Sequence, residues 1–253
     1  MRMTGNTILI TGGGSGIGRA LAEKFHALGN VVIISGRNLS RLDDVAAANP
    51  GMIAIELDIA DTNSIANFAE YIVTEHPGLN VVINNAGIMI PEAMTADPVD
   101  VAVVDAMVIT NLLGPIRLSA TLLPHLARQP EATIMTVSSG LAFVPLAMTP
   151  TYSATKAAIH SWSVAMRHQL KDSPVQVVEL APPYVQTELM GEHQAVDPHA
   201  MPLAEFIDEV MAILTNDPDA EEVIVERCKP LRYAAENGNL AEIMAGLNGA
   251  FST

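Results

Sequence analysis

Seven short runs rich in β-branched residues punctuate the chain: "NTILIT" at 6–11, "NVVIIS" at 30–35, "MIAIEL" at 52–57, "LNVVIN" at 79–84, "ATIMTVSS" at 132–139, "VQVVEL" at 175–180 and "EEVIVE" at 221–226. Helical patterns fill the intervals at 16–29, 38–48, 62–75, a long segment to about 128, 152–171 and 203–215. Crossovers of that length join parallel strands. Runs that are apolar on both faces indicate a sheet covered by helices on both sides. The expected fold is therefore α/β, a doubly wound sheet of seven mainly parallel strands, as one domain over 1–253. The stretch "TELMGEHQAVDPHAMP" breaks the pattern and predicts a loop with short helices over a site at about 187–203.

Between the first strand and the first helix stands "TGGGSGIG", residues 11–18. Gly12, Gly16 and Gly18 lack a β-carbon where the backbone must turn sharply, approach a pyrophosphate and pack helix on sheet. Free N–H groups at the helix start then meet the anion. A Gly-rich turn is weak evidence alone, and its place after a first strand and before a helix strengthens it. The spacing T-G-x-x-x-G-I-G, with Ser15 and Ile17 inside it, is followed in order by "NNAG" at 84–87, Asn111, Ser139 and Tyr152-x-x-x-Lys156. In this set the chain resembles the short-chain dehydrogenase/reductase family in its shorter form, securely to about Thr187. The resemblance implies a Rossmann-type fold that binds NAD(P).

Tyr152 and Lys156 are four positions apart and share a helix face. A free phenol has a pKa of about 10, and a nearby ammonium is expected to lower it. Hydride transfer to a carbonyl leaves charge on oxygen, which calls for a proton donor and a second hydrogen bond. Tyr152 can donate, and either Ser138 or Ser139 can polarise, since successive strand residues face opposite ways. The resemblance places the serine thirteen positions before Tyr152, at Ser139, leaving Ser138 structural. It also implies that Lys156 reaches the nicotinamide ribose and that Asn111 holds a water linking Lys156 to solvent. Asn111 lies in the apolar "VITNLLG", where an amide is costly unless bonded. The implied catalytic set is thus Ser139, Tyr152, Lys156 and Asn111.

At the end of the second strand, where a carboxylate would select NAD, the chain has Gly36 and Arg37. Arg37 can pair with a 2′-phosphate, which favours NADP(H), with NAD(H) still admissible. Ser15 stands where NADP-using relatives often carry a second basic residue, so the preference is expected to be modest. By resemblance, Asp58 and the following Ile59 meet the adenine, and Asn85, Ala86 and Gly87 run beside the adenosine ribose, while Asn84 steadies the sheet. In "APPYVQTEL", Val185 is placed near the carboxamide and Thr187 near the phosphates. Pro183 replaces the family's glycine there.

Pocket candidates are Leu141, Phe143, Val144, Tyr184, Leu189, Met190, His193 and Met201. They are mostly apolar, which suits a hydrophobic or neutral ketone, aldehyde or alcohol. Small residues Ala154, Ala158, Ser161 and Ala165 at helical spacing allow close helix contact, which internal packing explains equally well, and the resemblance implies a homodimer, with a tetramer as the alternative. The tail at about 228–253 lacks the Gly-rich ending of the tetrameric branch. Net charge is −15 with a pI near 4.7, so nucleic acid and anionic membranes are not expected partners. The single Cys228 and scattered histidines offer no metal set. No apolar stretch is read as approaching the roughly 18 residues of a membrane span. The first residues enter the glycine turn before a signal core can form, and the expected compartment is cytoplasmic. A rival reading is an NADP-sensing regulator, although such relatives typically lose the tyrosine or lysine. A methyltransferase would have no use for Tyr152-x-x-x-Lys156.

Overall fold

The computed structural model describes residues 1–251; Ser252 and Thr253, the end of the tail, lie outside the described residues. Its strands are β1 Thr7–Thr11, β2 Val31–Gly36, β3 Ile53–Glu56, β4 Leu79–Asn84, β5 Ala132–Val137, β6 Val175–Leu180 and β7 Glu222–Val223. They form one parallel sheet in the order β3-β2-β1-β4-β5-β6-β7. The order reverses between β1 and β4, where the two halves of a doubly wound sheet part at their carboxyl ends. The seventh run, expected at 221–226, pairs for only two residues, although Ile224 and Val225 stay buried.

The helices are α1 Gly16–Ala27, α2 Leu39–Ala48, α3 Thr62–Glu75, α4 Val101–Val108, α5 Gly114–Leu126, α6 Pro150–Gln169, α7 Glu192–Ala195, α8 Leu203–Asn216, α9 Lys229–Arg232 and α10 Leu240–Ala250. Strand alternation sorts the core into two layers. Ile8, Ile10, Val32 and Ile34 pack with Leu21 and Phe25 of α1 and with Phe206 and Val210 of α8. Leu9, Ile33, Val82 and Ile134 face Phe68 and Ile72 of α3 and Leu118 and Leu122 of α5. Local signals set several starts: the side chains of Asn38, Asp61 and Asp100 accept from Arg41, Asn63 and Ala102 N–H groups and cap α2, α3 and α4.

A π-helical turn, Ile109–Leu113, joins α4 to α5. Pro115 has no N–H to give the carbonyl of Asn111 four residues back, so regular α-helical bonding fails there. The composite helix Val101–Leu126 is long and apolar enough, by length and composition only, for a membrane span. Asp105 and Arg117 interrupt it, and no uninterrupted apolar run within it reaches the roughly 18 residues of a span. The helix packs on β4 and β5 and between α3 and α6. On α6, Ala154, Ser161 and Ala165 are exposed and Ala158 is half-buried.

Candidate active site

At the carboxyl ends of β1, β4, β5 and β6 lies a cleft of about 510 Å³. It gathers Gly12, Ser15, Gly16 and Ile17 from the glycine turn, Arg37 after β2, Asn85, Ala86 and Gly87 after β4, and Ser139, Tyr152, Lys156, Val185 and Thr187. Gly18, Asp58 and Ile59 are not among its lining residues. Gly18 is buried beneath the turn, and Ile59 packs with α3 and α5. The Asp58 carboxylate accepts the N–H of Ala60 at 2.9 Å. Ser138 is buried against β6, its N–H donating to Leu180 O at 2.8 Å.

The turn is knitted to the strand beside it. Thr11 Oγ1 accepts the N–H groups of Asn85 and Ala86 at 3.1 and 3.0 Å, and Asn85 Nδ2 donates to Thr11 O at 2.9 Å. Gly12 has φ +68°, and a β-carbon there would sit 2.9 Å from Ala86 Cα. At Gly18 an added β-carbon would lie 2.3 Å from Asn85 Nδ2 and 2.4 Å from Gly12 O. No side chain caps α1, so its first N–H groups are left for an anion. Thr187 approaches the turn from β6, its side chain 3.5 Å from where a Gly16 β-carbon would be. A backbone cradle with these properties fits a dinucleotide pyrophosphate.

The sequence reading overlooked Arg41. It is the fourth residue after Arg37, but Asn38 caps α2 between them, so their neighbourhood depends on the turn and not on helical spacing. Both arginines and Ser15 line the mouth of the cleft, and Arg41 Nη1 lies 3.5 Å from Glu188 Oε2. Arg41 thus brings a second guanidinium to the mouth from the first turn of α2.

Tyr152 and Lys156 lie on one face of α6, with the Lys156 ammonium 5.5 Å from the Tyr152 ring centre. Both are buried, and Lys156 Nζ donates to Val137 O at 2.8 Å. Burial pushes the Tyr152 phenol up to about 12, and a hydrogen bond with the Ser139 side chain offsets only part of this. The expected lowering by the ammonium is therefore corrected: desolvation of the phenolate prevails. Burial also brings Lys156 down to about 8, against the opposing pull of Glu179. Asn111 sits in the π turn, where its Oδ1 accepts Ile88 N–H and its Nδ2 donates to Ile88 O, both at 2.8 Å. A β-carbon on Gly87 would lie 3.3 Å from Asn111 Oδ1 and 3.8 Å from Lys156 Nζ, which brings amide and ammonium to one point.

Next to Ser139 and Tyr152 is an apolar recess of about 70 Å³. Leu141, Tyr184, Leu189 and Met190 line it as expected. Four other candidates do not. Val144 is fully buried, Phe143 turns away to stack edge-on to His160 at 4.8 Å, Met201 is buried and bridged to Val185, and His193 is on α7 outside the recess. Their places are taken by Met89, Leu146 and the tail residues Leu231, Leu247 and Phe251. Gln194, also overlooked, is buried and ties the loop together: Nε2 donates to Val185 O at 2.8 Å, and Oε1 accepts Met190 N–H at 3.0 Å.

The family model for the short chain dehydrogenases matches residues 6–197. The chain is 46% identical over 189 residues to the uncharacterized oxidoreductase DltE of Bacillus subtilis, which covers 75% of each protein. A short chain dehydrogenase from Burkholderia cenocepacia, solved in complex with NADP, superposes with a TM-score of 0.81 at 25% identity, covering 98% of this chain and 99% of that one. A short chain dehydrogenase/reductase from Burkholderia phymatum, solved in complex with NAD, gives 0.81 at 18% identity, covering 95% and 96%.

Proposed function

Because the chain belongs to the short-chain dehydrogenase family, we propose that it is an NADP(H)-preferring oxidoreductase that interconverts a ketone or aldehyde and an alcohol. The observation that carries this reading is the convergence of Ser139, Tyr152 and Lys156 beside an apolar recess at one end of the cradle for a dinucleotide. A bound nicotinamide nucleotide supplies the hydride. Tyr152 donates its proton to the substrate oxygen, and with its phenol pushed up to about 12 it is held in the donor form at neutral pH. Ser139 bonds the same oxygen. Lys156 anchors the ribose of the nucleotide, and Asn111, fixed by the Ile88 backbone, orders the water through which the proton is restored. The glycine turn holds the pyrophosphate, and Val185 and Thr187 border the nicotinamide end.

The lining of the recess supports a neutral, apolar carbonyl compound, since Gln194 is its one amide among hydrocarbon walls. Arg37, joined by Arg41, supports a 2′-phosphate on the nucleotide. Purified protein mixed with NADPH or NADH and a panel of ketones and aldehydes is expected to oxidise NADPH faster, read as loss of reduced-nicotinamide absorbance. Arg37→Ala should raise the KM for NADPH by about 10-fold or more, the worth of one charge-assisted bond, and leave that for NADH unchanged. Equal effects on both would remove Arg37 from cofactor selection. Tight NADPH binding without turnover of any carbonyl would favour a sensor.

The exposed small residues of α6 support a homodimer. Light scattering at micromolar concentration should return twice the chain mass of 26.8 kDa, and a monomer mass would count against it.

A further inference from the structure

Glu179 of β6 has no solvent exposure. Its neighbours Val178 and Leu180 belong to the layer packed with α8, so Glu179 points the other way, toward α6. It is paired in register with Thr136, whose hydroxyl meets Ser163 of α6 at 2.8 Å. One carboxylate oxygen, Oε2, lies 2.7 Å from His160 Nδ1, and the other, Oε1, has no hydrogen-bond partner among the described residues. A buried carboxylate left this way requires compensating positive charge. Arg232 is close by, but its guanidinium is held by Glu222 at 2.9 and 3.1 Å and by Glu236 at 2.7 Å.

His160 stands one helical turn after Lys156, on the face that also carries Tyr152. Lys156 is buried in turn, and its hydrogen bond goes to a neutral carbonyl, Val137 O. Two buried groups of opposite charge therefore lie on adjoining turns and strands: among the described residues Lys156 has no carboxylate within ion-pair distance, and Glu179 has His160, a cation only when protonated. We propose that Glu179 is a positioning residue: oriented by His160, its carboxylate supplies the counter-charge for the Lys156 ammonium at the base of the cleft.

The inference rests on Lys156 acting as a cation in the site, as argued above. The electrostatics agree in direction, since Glu179 pulls against the burial that brings Lys156 to about 8. Tyr152 on its own helix and Asn111 from the π turn lie beside Lys156, and Glu179 of β6 acts on it through its charge. Those around Glu179 are His160 of α6, Glu222 of β7, Arg232 and Glu236 from the tail and Cys228, whose thiol burial pushes up to about 12 and so keeps neutral. Lys156 is charged below its own pKa and neutral above it. Removing the negative charge of Glu179 therefore moves the loss of the ammonium to lower pH.

Competitive labelling of the intact protein with acetic anhydride across pH, followed by peptide mass spectrometry, reads the Lys156 midpoint without reference to turnover. The exposed Lys24 and Lys171 serve as internal references. Glu179→Gln is expected to lower the midpoint by about one unit, the size of a shift from one nearby charge. Glu179→Asp, which withdraws the charge by one methylene, should lower it by less. An unmoved Lys156 midpoint in folded Glu179→Gln overturns the proposal, as would be expected if Glu179 served only to dock the tail. Should that variant fail to fold, Glu179→Asp carries the test alone: a smaller fall supports the counter-charge, and no change overturns it. Inactivity toward carbonyl compounds would bear on the dehydrogenase reading and leave this midpoint to be read as before.

Discussion

Tyr152→Phe is expected to lower carbonyl reduction by at least about 100-fold, the contribution of a positioned general acid, while NADPH affinity stays at the wild-type level. The asymmetry follows from where the hydroxyl sits. The ring of Tyr152 is buried with Met89, Met107 and Leu146, so phenylalanine preserves the packing and removes only the oxygen. That oxygen bonds the Ser139 side chain and is held protonated by burial, and phenylalanine puts no proton donor in its place. Steady-state turnover together with NADPH titration by fluorescence checks both halves. Turnover within a few-fold of wild type would mean that the proton comes from elsewhere.

Gly18→Ala should have the second largest effect, on binding more than on chemistry. An added β-carbon meets Asn85 Nδ2 at 2.3 Å and Gly12 O at 2.4 Å, and the latter is backbone of the phosphate turn. Something must shift, at a cost of about 1–3 kcal/mol for overpacking. In a chain of this size that amounts to a fall in melting temperature of roughly 3–10 °C. The displaced atoms are those that shape the cradle, so NADPH affinity should drop by about 10-fold or more, since 1.4 kcal/mol is a factor of ten. Thermal melting with and without NADPH measures both quantities, and an unchanged dissociation constant would show that the turn does not hold the nucleotide.

The architecture was legible because its signals are local. Runs such as "LNVVIN" and "VQVVEL" coincide with β4 and β6, and Asp61 caps α3 where the polar pair Asp61–Thr62 marks a helix start. The positions of Ser139, Tyr152 and Lys156 followed from chemistry at fixed spacing and from resemblance to the family, and the fold brings them into one cleft. What failed was information carried by distant packing. Arg41 joins Arg37 because α2 begins with a capped turn, Gln194 matters because it is buried beneath a loop, and Leu231, Leu247 and Phe251 close the recess from the far end of the chain. Phe143 is apolar and a pocket candidate by sequence, yet its ring is drawn between His160 and Arg232. The charge environment of Tyr152 was misjudged for a similar reason. Helical spacing reveals the neighbouring ammonium but not the depth of burial, and burial prevails.

The most direct test follows the transferred atom. NADPH carrying deuterium at both positions of the hydride-bearing carbon of the nicotinamide, incubated with the protein and the panel of neutral ketones and aldehydes, should give an alcohol with one deuterium on the carbinol carbon by mass spectrometry, and Tyr152→Phe should give almost none. Protein that binds the labelled NADPH but leaves every carbonyl compound unlabelled would contradict the account.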